Sequence, residues 1–250
     1  MTVAIVRGVP GSFTRALRAE PVAIDVGRAQ EQHAGYVAAL RACGAEVVEL
    51  AADDRLPDCC FVEDTAVVAG GVALITRPGA ASRRAEVDAV RAVLAARMPV
   101  EEMAAPATLD GGDCLRLGRT LYIGRSARSN AEGIARARAV FAAVGTTVIE
   151  VPFAGALHLK SLCSPLGDRA VLAAAGALPP GTFGAAPVIE VPAAEAHAAN
   201  AACIGDAAVI AAGCPATAAL VAAAGYRPVP VDTSELRKAD GALTCLSILL

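Results

Sequence analysis

The chain has 250 residues, 55% hydrophobic and 19% charged, with 22 Lys+Arg against 25 Asp+Glu and a formal net charge of −3. That near balance excludes the basic surface needed for a nucleic acid or an anionic membrane, and the apolar content excludes a disordered chain. Aromatic residues make up only 3% and Trp is absent, which rules out a stacking platform for bases and leaves the core to Ala and aliphatic side chains.

The opening residues 1–8 lack a basic segment and their apolar run is too short for a signal peptide, which predicts a cytoplasmic protein with reduced thiols. The eight cysteines, Cys43, Cys59, Cys60, Cys114, Cys163, Cys203, Cys214 and Cys245, include no C-x-x-C pair, so no thiolate metal site is expected. A strand at 3–7, a helix over 30–43 with Tyr36, Val37 and Leu40 inward, and a strand at 46–50 come first. A β-rich run follows at 59–68, then a turn at Ala69-Gly70-Gly71, a strand at 72–76, and a helix from Ser82 with Val87, Val90, Leu94 and Met98 on one face. The order recurs with a strand at 109–117, a turn at Gly118-Arg119, a strand at 121–124 and a helix opened by the capping box Ser129-Asn130-Ala131-Glu132. That helix closes at Gly145, and a strand at 147–151 completes the unit.

A third copy leads with 156–161, turns near Gly167-Asp168 and returns through 170–174, but Pro179, Pro180 and Gly181 weaken its helix. A fourth begins near Asn200, turns at Gly205-Asp206, returns through 207–211, places a helix between Pro215 and Gly225, and ends at 227–231. Residues 207–226 carry no charge, yet Gly213, Pro215 and Gly225 interrupt them, so they read as strand, turn and helix rather than a membrane span. The C-terminal stretch 243–250 supplies the strand that the first unit lacks. Five ββαβ units of roughly 40 to 50 residues, the last strand completing the first unit, describe a closed ring spanning 1–250 as a single domain.

In such a ring the leading strands converge on the axis. They carry Glu63 and Asp64, Asp110 and Asp113, His158, and Asn200, while the closing strand carries Cys245. A thiol, an imidazole and carboxylates suit nucleophilic catalysis with proton transfer by histidine. Each residue also has a plain alternative: core for Cys245, an edge-strand surface for His158, turns for Asp110 and Asp113. Strand alternation sets His158 and Lys160 opposite Leu157 and Leu159. Buried carboxylates at Glu63, Asp64, Asp110 and Asp113 call for a cationic ligand. Arg83, Arg84 and Arg128 stand at helix starts in two successive units, as a solvated face or as a clamp for a carboxylate. His33 and His197 lack metal-ligand spacing and read as structural, and no G-x-G-x-x-G loop points to a nucleotide.

LPDCCFVED at 56–64, LITRPG at 74–79, Ser82-Arg83-Arg84, TLDGGD at 108–113, LHLKS at 157–161 and DGALTC at 240–245 closely resemble the dimethylarginine dimethylaminohydrolases. The resemblance extends from about Pro10 to the end and implies the five-bladed α/β-propeller of the guanidino-group-modifying enzymes. It implies hydrolysis of a small molecule, asymmetric dimethylarginine or monomethylarginine, to citrulline and a methylated amine, with neither metal nor organic cofactor, in a monomer or homodimer. Carried over residue by residue, Cys245 is the nucleophile, His158 the general acid and base, and Asp110 the carboxylate that orients the histidine. Glu63 and Asp64 hold the guanidinium, Asp58 the amino group, Arg83 with Arg128 the α-carboxylate, and Leu17 and Ala239 contribute backbone contacts. Ala239 replaces a familiar valine and Asp110 a glutamate of some relatives; a backbone contact survives the first change and the charge survives the second. Arginine deiminases and amidinotransferases of the same fold are the enzymatic alternatives, but they resemble longer chains. A non-catalytic propeller that binds a partner is the alternative of another class.

Overall fold

In the computed structural model, which describes residues 1–250, the strands assemble into five separate three-stranded sheets. β1 (Val3–Arg7) and β2 (Glu46–Leu50) run parallel, joined by α1 (Val26–Ala42), whose N-cap Asp25 accepts from the Arg28 amide. Each later sheet is an antiparallel hairpin with a parallel third strand. The second is β3 (Ala66–Ala69), β4 (Val72–Ile75) and β5 (Val100–Glu102), with α2 (Val87–Ala95) crossing over between β4 and β5. The third is β6 (Cys114–Leu117), β7 (Thr120–Arg125) and β8 (Thr147–Pro152), with α3 (Ala131–Ala142). The fourth is β9 (Cys163–Leu166), β10 (Ala170–Ala174) and β11 (Val188–Val191). The fifth is β12 (Ala202–Ile204), β13 (Ala207–Ala211) and β14 (Arg227–Val231), with α4 (Pro215–Ala223). After the short α5 (Ser234–Arg237), β15 (Ile248–Leu249) pairs antiparallel with β1, Ala4 opposite Leu249, and completes the first sheet.

The hairpins turn where glycines were expected to turn them. Gly70 and Gly71 both take positive φ, 59° and 79°, between Ala69 and its partner Val72, as a type I′ turn requires. No helix joins β10 to β11. Phe183 instead packs edge-on against Tyr122, with ring centroids 5.1 Å apart, and fills the place where Pro179 and Pro180 forbid a regular crossover.

The leading strands are shorter than the β-rich runs that contain them, and this corrects the sequence reading where it matters most. A 3₁₀ turn precedes each one: Val62–Thr65 before β3, Gly111–Asp113 before β6, Leu159–Ser161 before β9, Ala193–Ala199 before β12 and Thr244–Leu246 before β15. Residues 156–161 form no strand, and Cys245 lies in a turn. His158 and Lys160 therefore do not share a face opposite Leu159: all three are buried and Leu157 is exposed, because a turn of three residues per revolution replaces the period of two. Neighbouring turns adjoin around the axis, Thr244–Leu246 on Val62–Thr65, that turn on Gly111–Asp113, and the latter on Leu159–Ser161. The approach is close enough that a Cβ on Gly111 would lie 1.9 Å from the Glu63 carbonyl oxygen.

β5 and β11 are the closing strands of their ββαβ units, short and largely exposed, with no alternation to give their bounds in the sequence. The cap of α3 also moves by one residue. Asn130 accepts from the Gly133 amide, which frees the Ser129 hydroxyl for another partner.

Candidate active site

The five turns place side chains with exposed chemistry in the sequence into a buried polar cluster at the axis. Asp110 is fully buried, with its amide donating to Ser129 Oγ at 3.1 Å and its Oδ1 accepting from the Gly79 amide at 2.8 Å. Its Oδ2 lies 3.0 Å from His158 Nε2. Asp64 accepts from the Gly112 amide at 2.8 Å and from Arg83 Nη1 at 2.5 Å. Burial opposes ionisation of Asp64, but His158, Arg83 and the Gly112 amide together bring its carboxyl down to about 2. Burial by itself would depress His158, yet Asp64, the bond to Asp110, and the charge of Asp113 raise the imidazole to about 9. The ring is therefore an imidazolium at neutral pH.

Gly112 supports this arrangement by having no side chain. A Cβ there would fall 2.7 Å from His158 Nδ1 and 2.9 Å from Asp64 Oδ1. Gly112→Ala should destabilise the fold by about 1–3 kcal/mol, the usual range for overpacking, and displace the ring. Urea denaturation together with an NMR titration of His158 checks both effects; an unchanged midpoint and unchanged titration would show that the contact is slack.

Around this centre lie two charge networks. Arg83 is buried, with Nε and Nη2 on Glu86, Nη2 also on the Phe61 carbonyl and Nη1 on Asp64, which leaves one Nη1 hydrogen free. Glu86 is raised to about 7 by burial, which outweighs Arg83. Glu63 accepts from Lys160 Nζ at 2.5 Å and from Thr244 Oγ1 at 2.8 Å, each oxygen keeping a second lone-pair direction. Asn200 extends the chain through Nδ2 to Thr244 Oγ1 and through Oδ1 to the Thr244 amide. Glu63, Gly111, Lys160 and Thr244 also line a cavity of about 680 Å³ that opens between the hairpin ends, near Asp168 and Asp206. Asp64, Asp110, His158 and Cys245 do not line that cavity.

The remaining expected residues are Asp58, Leu17, Ala239 and Arg128. Asp58 Oδ1 accepts from the Leu17 amide at 2.9 Å, and burial raises the carboxyl above its ordinary range. Leu17 is exposed and Ala239 buried. Asp240, the only non-glycine residue with positive φ at 56°, holds the Ala19 amide at 2.6 Å, so the segments around Leu17 and Ala239 are tied together. Arg128 Nη1 sits 3.7 Å from Asp110 Oδ2, with its side chain 19% exposed, and it is the more available of the two expected arginines. Arg84 instead donates to the Pro78 carbonyl.

Cys245 is half-buried, and its amide donates to the Ala242 carbonyl at 3.1 Å. Burial, Glu63 and Asp64 raise the thiol well above its ordinary range, with Lys160 pulling the other way. Asp64 thus acts on the thiol and the imidazole alike. Asp64, Asp110 and His158 offer ligand atoms within 4.8 Å of one another. A raised imidazole and an Asp64 already held by Arg83 suit a proton better than a metal ion. Sequence reasoning passed over Lys160, Glu86 and Ser126 as partners within the site. Lys160 carries the clearest signal, as a lysine two residues from His158 in an otherwise apolar stretch.

The family described as "N,N dimethylarginine dimethylhydrolase, eukaryotic" matches residues 11–180. An N(G),N(G)-dimethylarginine dimethylaminohydrolase of Streptomyces coelicolor is 43% identical over 237 residues, covering 91% of this chain and 88% of the relative. A cysteine-to-serine variant of the Pseudomonas aeruginosa enzyme with citrulline superposes with a TM-score of 0.95 at 36% identity, covering 99% of this chain and 98% of that one. A histidine-to-glycine variant of a dimethylarginine dimethylaminohydrolase, as an adduct with S-methyl-L-thiocitrulline, gives a TM-score of 0.96 at 35% identity over 100% of both chains. Five sheets around an axis with a cysteine, a histidine and acids on its turns define a guanidino-group-modifying enzyme of the five-bladed α/β-propeller type. Within that class, the chain belongs to the dimethylarginine dimethylaminohydrolase family.

Proposed function

We infer that this enzyme hydrolyses asymmetric Nω,Nω-dimethyl-L-arginine to L-citrulline and dimethylamine, and the monomethyl compound to citrulline and methylamine, with Cys245 as nucleophile. The observation that carries this reading is Asp64: one ionised carboxylate, held near 2, beside both an imidazolium and a protonated thiol. A substrate guanidinium brings the positive charge that enlarges the thiolate population of Cys245. At 4 Å and an effective dielectric of 20 that attraction is on the order of 4 kcal/mol, about a thousandfold in thiolate population. The thiol proton leaves to solvent.

The thiolate attacks the guanidinium carbon, and His158, oriented through Nε2 by Asp110, gives its other proton from Nδ1 to the departing dimethylamine. The carbon–nitrogen bond breaks, leaving an S-alkylthiouronium on Cys245. Neutral His158 then takes a proton from water as its oxygen attacks the same carbon. Collapse breaks the carbon–sulfur bond, the hydroxyl proton passes to the departing thiolate, and the urea of citrulline is left beside the thiol and imidazolium of the resting site. Asp64 supplies the charge that neutralises the guanidinium, Glu63, already paired with Lys160, offers it a spare lone pair, and Asp58 with the free Leu17 carbonyl suits the amino group. Ala239 adds a backbone contact. Arg128, joined by the last free hydrogen of Arg83, suits the α-carboxylate.

Incubation with asymmetric dimethylarginine, monomethylarginine and arginine, with citrulline measured, tests the reading. Turnover of the methylated substrates well above arginine is expected; turnover of arginine alone would make the enzyme a deiminase, and none at all would leave a binding protein. Because the attack needs a thiolate and an imidazolium together, kcat/KM should rise tenfold per pH unit up to about pH 9, where the thiol must still ionise, and level off above it, where each gain in thiolate is matched by a loss of imidazolium. A profile that goes on rising tenfold per unit at pH 10 would remove His158 as the acid. The eight free cysteines fit a reducing compartment, and no helix is long and apolar enough to cross a membrane.

A further inference from the structure

We propose that Asp113 is a positioning residue that fixes the His158 turn and the Arg128 turn to each other through a single buried carboxylate. This rests on the roles given above to His158 and Arg128. Asp113 is fully buried and touches no arginine or lysine. Its Oδ1 accepts from the Leu159 amide at 2.9 Å, the residue directly after His158. Its Oδ2 accepts from Ser126 Oγ and Ser129 Oγ, each at 2.6 Å.

Both serines belong to the turn that carries Arg128. Ser126 Oγ accepts from the amides of Arg128 and Ser129 at 3.0 and 3.1 Å, and Ser129 Oγ accepts from the Asp110 amide. Charge-assisted bonds of this kind are the stronger class, and three of them converge on one side chain. They link the general acid, its orienting carboxylate and the arginine for the substrate's α-carboxylate across two adjacent blades. The move of the α3 cap to Asn130 is what releases Ser129 for this duty.

Asp113 also acts through its charge. The groups facing His158 are Asp64, with Arg83 behind it, Asp110, with Arg128 at 3.7 Å, and Asp113. Asp113 helps to raise the imidazole, and the imidazolium in turn opposes the rise that burial imposes on Asp113.

Two variants separate the two arms. In Asp113→Asn the carboxylate charge is lost with little change in volume, so the His158 titration, followed by NMR in the free protein, should move about one pH unit toward acid. In Ser126→Ala the charge stays while the Arg128 turn loses its acceptor, so KM should rise about tenfold with kcat and the His158 titration in place, as loss of one such bond predicts. An unmoved titration in folded Asp113→Asn, or an unmoved KM in Ser126→Ala, overturns the proposal. Should Asp113→Asn fail to fold, Ser126→Ala still decides it through KM. A wild-type enzyme inactive toward methylarginines would sink the functional reading instead, while the titration arm would still report on Asp113.

Discussion

Cys245→Ser should bind dimethylarginine with an affinity within a few-fold of the wild type and release citrulline slower by roughly 10⁴-fold or more. A serine hydroxyl has nearly the same volume, and Cys245 is only half-buried in a turn held by its own amide, so the fold has no reason to change. The loss is chemical. The guanidinium can draw a thiol down to a useful thiolate population, but the alkoxide of serine lies far higher and the same attraction does not reach it. Citrulline assays with binding measured by calorimetry separate the two effects, and appreciable citrulline from the serine variant would refute covalent catalysis by sulfur.

His158→Ala should lower kcat by roughly 10³–10⁴-fold, the range for a lost general acid and base. It should also alter the pH dependence of stability. The folded value of about 9 lies above the ordinary 6.5, so the ring contributes stability that is complete below about pH 6.5 and lost as pH rises through 9. With the ring 6% exposed, the stability gap between wild type and variant should narrow by about 3 kcal/mol over that interval. Denaturant titrations at several pH values give the gap directly. A constant gap would mean that Asp64, Asp110 and Asp113 do not hold a proton on the ring.

Both predictions depend on residues whose types were readable but whose surroundings were not. The repeat of strand, glycine turn and strand located the hairpins, because a positive φ or a tight reversal leaves a local mark such as Gly70-Gly71. The weakness of the third crossover helix was equally legible, since prolines inside a helix remove its hydrogen bonds and crowd the preceding turn. The 3₁₀ turns left no comparable mark. Val62-Glu63-Asp64-Thr65 and Leu243-Thr244-Cys245 have the composition of strands, and only packing of one blade against the next bends them.

The same division holds within the site. The motifs pointed to Cys245, His158, Asp110 and Asp64 as candidates, and the start of a helix to Arg128, but Arg83 looked equivalent to Arg128 until Glu86, Asp64 and the Phe61 carbonyl took most of its donors. Lys160 looked like a surface residue beside a histidine, and 97 residues of chain separate it from the Glu63 it neutralises.

By itself, the sequence determined the five-unit ring, the closure by its last strand and the kinds of group at the centre, because periodicity, glycine and proline act over a few neighbouring residues. Only the tertiary structure decided which acids are ionised, which arginine is available and why the imidazole carries a proton. Those properties are set by burial and by charges on other blades, and the energy of a buried charge depends on what lies within a few ångströms of it rather than on what precedes it in the chain.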